Sequence, residues 1–524
     1  MSRMLEANLK ALTSCASESL IRSVRLARPS RSIRLERARN GEMVPVLADK
    51  GRNFWFHSRY SPSKEASRAV QTVAPSQLLV TAGIGNGAHI RALLDICSPQ
   101  AIVVVAEPPE ILAEILSRTS LETILSDDRI RVVPPDNTVS ELRKAFVPLF
   151  TRGLNAFALQ GIHRALPELT ETCNQSVQSA ADALSEDVTT QSHHGLLWMR
   201  NTILNFPQAA ARNCSLELPR RVTIAGAGPS LEKWIEAGIH TEAVVATDTA
   251  APSLQIHGVR PEAVVSVDPA LYSYHHILCG SPPQVPWLVD VAAHPAIWRE
   301  RSDAIPVTSA HPLLRLLCED EKSPEWPQFS GSDVTQAAIS IVTALGATDV
   351  HTAGTDYAYP REQGYARGSY IDTLFASVSN RLSTPLTHQY RFCYRSPNAR
   401  RDSDGAVRTP ALESTRRATS GLMRSLGHSS RRIPGVSNHP PGVRWAVERL
   451  HRIAEELSWL SIPAETAEAD YYRSLNAREK TLVNACIPSA LSLSHRDALE
   501  WHEALESAIG RYRLLVANLH REIP

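Results

Sequence analysis

Short apolar runs, each closed by a glycine or an acidic residue and followed by helical periodicity, recur along most of this chain. Leu78–Ala82 runs into Gly83-Ile84-Gly85-Asn86-Gly87, "AIVVVAEPP" closes on Glu107, and "RIRVVPPD" lies at 129–136. Continuous apolar runs of this length predict strands buried on both faces, and helices between them predict a parallel sheet. A second series begins with "RVTIAGAG" at 221–228. It continues with "AVVATD" (243–248), "AVVSVDP" (263–269), "PWLVDVAA" (286–293), "IPVTS" (305–309) and "DVHTAGTD" (349–356), with a helix expected over 333–346 before the last strand.

Outside these series the pattern changes. Residues 1–40 predict a helix followed by a basic segment with arginines at 22, 25, 28, 31, 34 and 37. Residues 41–70 predict a hairpin turning at Asp49-Lys50-Gly51, with a helix starting after Pro62. Ala-, Leu- and Gln-rich sequence at 165–205 predicts a helical connection, and three amphipathic stretches between 443 and 520 predict a helical end. Residues 395–432 carry nine arginines against three acids with little periodicity, and predict a long irregular segment. The expected class is therefore α/β: two Rossmann-like doubly wound units followed by a helical C-terminal domain. The expected boundaries are 1–165, a linker at 166–215, a catalytic unit at 216–442 and helices at 443–524.

The chemistry sits where strands end. Gly226 and Gly228 let a backbone approach a ligand closely, Pro229 suits the first turn of a helix, and Ser230 adds a hydroxyl beside free amides. The positive end of a helix dipole favours an anion there, so a phosphate is the expected guest. The third glycine of a dinucleotide loop is missing. Asp248, Asp268 and Asp356 close three strands, and an open parallel sheet holds ligands at that edge. Three acids there suit ribose or sugar hydroxyls, Mg²⁺, or proton abstraction. Ser330-Gly331-Ser332 opens a further helix as a second anion nest. The loop at Gly83, Gly85 and Gly87 with Glu107 reads more readily as a structural relic than as a nucleotide loop of the methyltransferase type. His193–His194 and His275–His276 lack metal-ligand spacing and read as surface or core residues.

Composition narrows the partners. With 55 basic and 54 acidic residues, the chain has no net field to draw nucleic acid or an anionic membrane. Its eight cysteines never form a C-x-x-C pair, so neither a zinc site nor a disulfide framework is expected, and the reducing cytosol is the expected compartment. No apolar run is long enough to span a membrane, and the first 35 residues lack the apolar core of a secretory signal.

"AGAGPSL", "ATDTAAPSLQIHGVRPEAVVSVDP" and "SGSDVTQAAISIVTALGATDVHTAGTDYAY" together resemble the motility accessory factor (Maf) proteins, flagellin glycosyltransferases whose central domain is similar to 6-hydroxymethylpterin diphosphokinase. "FHSRYSPSKEA", "WMRNTILNFPQ" and "GVSNHPPGV" extend the likeness over roughly residues 42–445. The same core is similar to small bacterial sialyltransferases. The resemblance implies transfer of a nonulosonic acid, of pseudaminic or legionaminic type, from a CMP donor to Ser or Thr of flagellin in the cytoplasm. It implies that Gly226, Gly228, Pro229, Ser230, Asp248, Asp268, Ser330, Gly331 and Ser332 bind the donor. Asp356 or Asp268 would then take the acceptor proton or orient the acceptor. No cofactor is required on this reading, and Mg²⁺ is compatible with it.

One position departs from the family. Where its members carry a Lys-Thr-His-Ala-like run, this chain reads "EQGYARG", with Tyr365 in place of the histidine and Arg367 nearby. Two other readings stay open: a pterin-type diphosphokinase using ATP and Mg²⁺, and a non-catalytic flagellin chaperone on a transferase fold.

Overall fold

The structure is a computed structural model; it describes residues 3–27, 32–74, 76–97, 101–212, 216–238, 243–280, 284–309, 311–426 and 440–519. Two compact units divide the chain: Met1–Gln191 with Ile462–Asn476, and Ser192–Ser461 with Ala477–Pro524.

In the first unit, β1 (Ile33–Arg37), β2 (Met43–Asp49) and β3 (Arg52–Trp55) form an antiparallel sheet. The expected hairpin is thus three-stranded. Its extra strand lies in what the sequence reading took for a basic segment, and the helix before it is two helices, Arg3–Leu12 and Glu18–Leu26. Their buried faces (Leu9, Leu12, Leu20, Val24) join the core of the unit. The main sheet is parallel, with β4 (Leu78–Ala82), β5 (Ile102–Ala106), β6 (Ile130–Val133) and β7 (Leu154–Phe157) in the order β6-β5-β4-β7. Every residue of β4 is buried, as a strand covered on both faces requires.

The second unit holds seven parallel strands: β8 (Arg221–Ala225), β9 (Ala243–Thr247), β10 (Ala263–Ser266), β11 (Trp287–Asp290), β12 (Ile305–Ser309), β13 (Gln328–Phe329) and β14 (Asp349–Ala353). Their order is β13-β12-β11-β10-β9-β8-β14. The chain winds steadily outward from β8 to β13, and the helix Val334–Ala344 then returns it to the far side of β8. The carboxyl ends of β8 and β14 therefore mark the reversal point, where open parallel sheets place ligands. The helix-rich end follows as Gly442–Ser458, Glu468–Ser474, Ala477–Asp497 and Trp501–Ala517.

Residues 395–426 are more ordered than their composition suggests. They form a small hairpin, β15 (Arg400–Arg401) and β16 (Val407–Arg408), then the helix Pro410–Ser425 capped by Thr409. The arginines find local partners: Arg408 lies 2.6 Å from both Asp402 and Asp404, and Arg401 lies 2.7 Å from Glu362. The rest of that segment and most of "GVSNHPPGV" lie outside the described residues.

Candidate functional site

The site is built from four neighbouring strand ends: β14, β8, β9 and β10. The turn after β8 is tied to β14. Gly226 donates its amide to Ala353 O at 2.8 Å, and Gly228 donates to Gly354 O at 2.7 Å. A Cβ on Gly226 would lie 2.7 Å from Gly354 O, and one on Gly228 would lie 2.1 Å from Asp356 Oδ2. The close approach that demanded these two glycines is made by the protein's own β14 loop.

Asp356 completes that contact. Its Oδ2 accepts from the Ser230 amide at 3.1 Å and from the Ser230 hydroxyl at 2.8 Å. The amide expected to face a phosphate is held by a carboxylate in this structure. The helix Ser230–Glu236 follows Pro229, and Asp356 does the work of a cap from 126 residues away. Backbone strain concentrates just beyond, where Tyr357, Arg361 and Glu362 all have positive φ (46°, 52° and 59°). Such strain gathers at functional sites because the surrounding structure must enforce it.

The ends of β9 and β10 carry the second cluster. Asp248 is buried; its Oδ2 accepts from Ser266 Oγ at 2.7 Å and its Oδ1 from the Thr249 amide at 2.7 Å. Burial pushes the Asp248 carboxyl up, and the Asp268 charge adds to this. His276 and the Ser266 hydrogen bond pull it back. Asp268 is half-buried, accepting from the Ala270 amide at 2.8 Å and from Tyr272 Oη at 2.6 Å. Burial first, then the hydrogen bond to Asp268, keeps the Tyr272 phenol protonated. Tyr365 is also pushed up, by burial and then by Tyr359, with Asp248 contributing. The residue in the family histidine's place thus lies in the field of Asp248.

Sequence reasoning missed three partners here. His276, set aside for lack of metal spacing, lies within the field of Asp248, and its Nε2 is 3.5 Å from Thr249 Oγ1. The adjacent pair has a packing reason too. His275 stacks on Tyr370 at 4.9 Å and His276 meets the same ring edge-on at 5.6 Å. Asn201 and Asn205, one turn apart in the helix Pro167–Ala210, reach under the strand ends. Asn201 Nδ2 donates to Pro269 O (2.9 Å) and Ala292 O (3.1 Å); Asn205 Nδ2 donates to Val291 O and Ala293 O, both at 2.8 Å. Two asparagines at i and i+4 amid Ile, Leu and Phe were the available signal.

The third group, Ser330, Gly331 and Ser332, is exposed. The Ser332 amide donates to Gln336 Oε1 at 2.9 Å, and Asp333 caps the helix by accepting from the Gln336 amide at 2.7 Å. Among the described residues no hydrogen bond joins these three to Asp248, Asp268 or Ser230. Their link to the β14 loop runs through Asp333 and Tyr357, which share a hydrogen bond.

Two sequence relatives were found, both uncharacterised proteins of Treponema pallidum (strain Nichols). One is 28% identical over 169 residues, 30% of this chain and 80% of that protein. The other is 28% identical over 136 residues, 25% of this chain and 48% of that protein. Residues 200–362, which run from Asn201 past Asp356, match the family model of 6-hydroxymethylpterin diphosphokinase MptE-like proteins. Over those residues the chain is similar to that family. They contain the β8 loop, both aspartate clusters and the Ser330 loop. In fold the chain is similar to the Maf glycosyltransferase from Magnetospirillum magneticum AMB-1. The TM-score is 0.54 at 14% identity, with 99% of this chain and 96% of that chain covered. At that identity the likeness is one of fold. No helix among the described residues is long and apolar enough to cross a membrane.

Proposed function

We propose that this protein is a cytoplasmic glycosyltransferase that moves a nonulosonic acid from a CMP-activated donor to Ser or Thr of flagellin. The observation that carries the reading is the convergence of Asp248, Asp268, Tyr272, His276 and Tyr365 beside the reversal point of the sheet. The shared fold of a Maf glycosyltransferase supports the reaction class. Asp248, buried and fixed by Ser266 and Thr249, receives donor hydroxyls through its neighbours. Asp268 is the more accessible carboxylate and takes the proton of the acceptor hydroxyl. The acceptor oxygen bonds to the sugar's anomeric carbon as the bond to CMP breaks, and CMP leaves with the electron pair. Asp356, turned onto Ser230, orients the loop that receives the departing phosphate.

Thermal unfolding with CMP, ATP and NAD tests this. CMP at about a hundredfold over its Kd stabilises by ~2.7 kcal/mol, so a clear rise is expected with CMP alone. Absence of a CMP response would sink the reading. The match to a diphosphokinase family favours a second reading. Release of AMP from ATP and Mg²⁺ with a hydroxymethylpterin would establish it, and flagellin of unchanged mass in a deletion strain would point to a chaperone.

A further inference from the structure

A separate feature lies in the first unit. A cavity of about 340 Å³ opens at the carboxyl end of β7, against the helix Gln160–Ala165 and the start of the helix Pro167–Ala210. We propose that it is a second ligand site, for an uncharged nucleobase or nucleoside.

Position is the first argument. The chain winds from β4 through β5 to β6 and then returns to place β7 on the other side of β4. The β4–β7 boundary is therefore the reversal point of this sheet, the place where open parallel sheets hold ligands. The volume is at the low end of the range for small-molecule sites, ~300–1,000 Å³.

The glycine loop after β4 supplies no phosphate nest. Glu107 Oε2 accepts from the Ile84 amide at 2.5 Å, and His57 Nε2 accepts from the Asn86 amide at 3.1 Å. Gly83 and Gly87 donate to Ala106 O and Ile84 O, both at 2.9 Å. The Ile162 side chain lies 3.1 Å from where a Gly83 Cβ would stand. The amides of Gly83, Ile84, Asn86 and Gly87 are thus spent inside the protein.

The lining then selects the ligand. Phe157, Thr170 and Cys173 offer an apolar floor with one hydroxyl, and Gln160, His163 and Asn174 form an exposed rim. Among the described residues, no Lys, Arg, Asp or Glu lines the cavity. Burial, then the nearby Glu107, pushes the Cys173 thiol up to about 12, so it stays uncharged. Glu107 itself is buried with no partner on Oε1 among the described residues, and burial raises it to about 8, so at neutral pH it is largely protonated. The side-chain amides of Gln160 and Asn174 have no hydrogen-bond partner among the described residues and pair a donor with an acceptor each. A flat ring on Phe157 whose edge alternates donors and acceptors satisfies this set, and a charged ligand does not.

Saturation-transfer NMR on the full chain with adenosine, guanosine and uridine, and with their 5′-monophosphates, tests the proposal. At least one nucleoside is expected to saturate, about tenfold more tightly than its own monophosphate, a difference of ~1.4 kcal/mol. The double variant Gln160→Ala/Asn174→Ala should weaken it at least about tenfold, and Asn174→Trp should abolish it. All three substitutions are on exposed positions, so the melting temperature and the CMP response of the wild type should persist. No saturation by any nucleoside, binding unchanged in the variants, or a monophosphate that binds as well as its nucleoside would each overturn the proposal. The signal read in each case is the part lost in Asn174→Trp, so none of these outcomes bears on the CMP test.

Discussion

Asp356 and Ser230, 126 residues apart, are joined twice: Asp356 Oδ2 accepts both the amide and the hydroxyl of Ser230. The carboxylate stands where a phosphate oxygen would stand at a helix N-terminus. A donor phosphate at this amide must therefore displace Asp356, or lie beside it and leave the Ser230 pairing intact.

Asp356→Ala separates these cases. Loss of the cap should cost about 1–2 kcal/mol of stability. Transfer should fall about 10²-fold or more if Asp356 orients the acceptor or the β8 loop. CMP binding should tighten if the carboxylate competes with phosphate, and hold steady if the phosphate lies beside it. Titration calorimetry with CMP, alongside mass spectrometry of flagellin, reads both. Transfer at the wild-type rate would remove Asp356 from the machinery.

Asp268 and Tyr272 offer a sharper division. Asp268→Asn keeps the acceptor for the Tyr272 hydroxyl but removes the base, so transfer should fall about 10²–10⁴-fold with CMP binding retained. Tyr272→Phe keeps the base and loses only its 2.6 Å hydrogen bond, so a loss of roughly tenfold is expected. Single-turnover rates at saturating donor give the comparison. Equal losses in the two variants would move the base elsewhere in the cluster, with His276 the first candidate.

The strands of the second unit were legible because they are continuous runs of Val, Ile and Ala between helical stretches. β9, β10, β12 and β14 begin at the residues the pattern predicts. β13 was not legible, since it is two residues long and pairs only at its partner's end. β7, "LNAF", is half-buried throughout and has no apolar run to mark it. Ser230, Asp248, Asp268 and Asp356 were legible as strand-end residues for the same reason the strands were. Their partners were not. Which group takes the Ser230 amide, or brings His276 into the field of Asp248, is decided by the order of strands in the sheet and not by spacing along the chain.

Asn201 tests the support beneath the cluster. Its buried carboxamide satisfies two carbonyls, Pro269 O and Ala292 O, on the loops that follow Asp268 and Asp290. Asn201→Ala leaves both carbonyls buried without a donor, at about 1–3 kcal/mol each. A fall in the urea midpoint with unchanged slope is expected. Any transfer defect beyond the folded fraction would show that Asn201 also positions the Asp268 loop. An unchanged midpoint would mean that water replaces the carboxamide.

Glu107 should make the first unit lose stability as pH rises. Burial raises its folded pKa to about 8, whereas an unfolded glutamate titrates near ~4.3. Between these values the folded state binds more protons than the unfolded one, so stability falls with increasing pH. The contribution is intact below about pH 4 and is lost as pH climbs through about 8. Replacing the acid by Glu107→Gln keeps an acceptor for the Ile84 amide and removes the proton. Hydrogen exchange of the β4 and β5 amides should then show a steep loss of protection from pH 5 to 8 in the wild type, after correction for intrinsic exchange, and a flatter one in the variant. At pH 8.5 the variant should be the more protected of the two. Parallel profiles would mean that Glu107 is ionised in the native protein at neutral pH and that an undescribed partner holds Oε1.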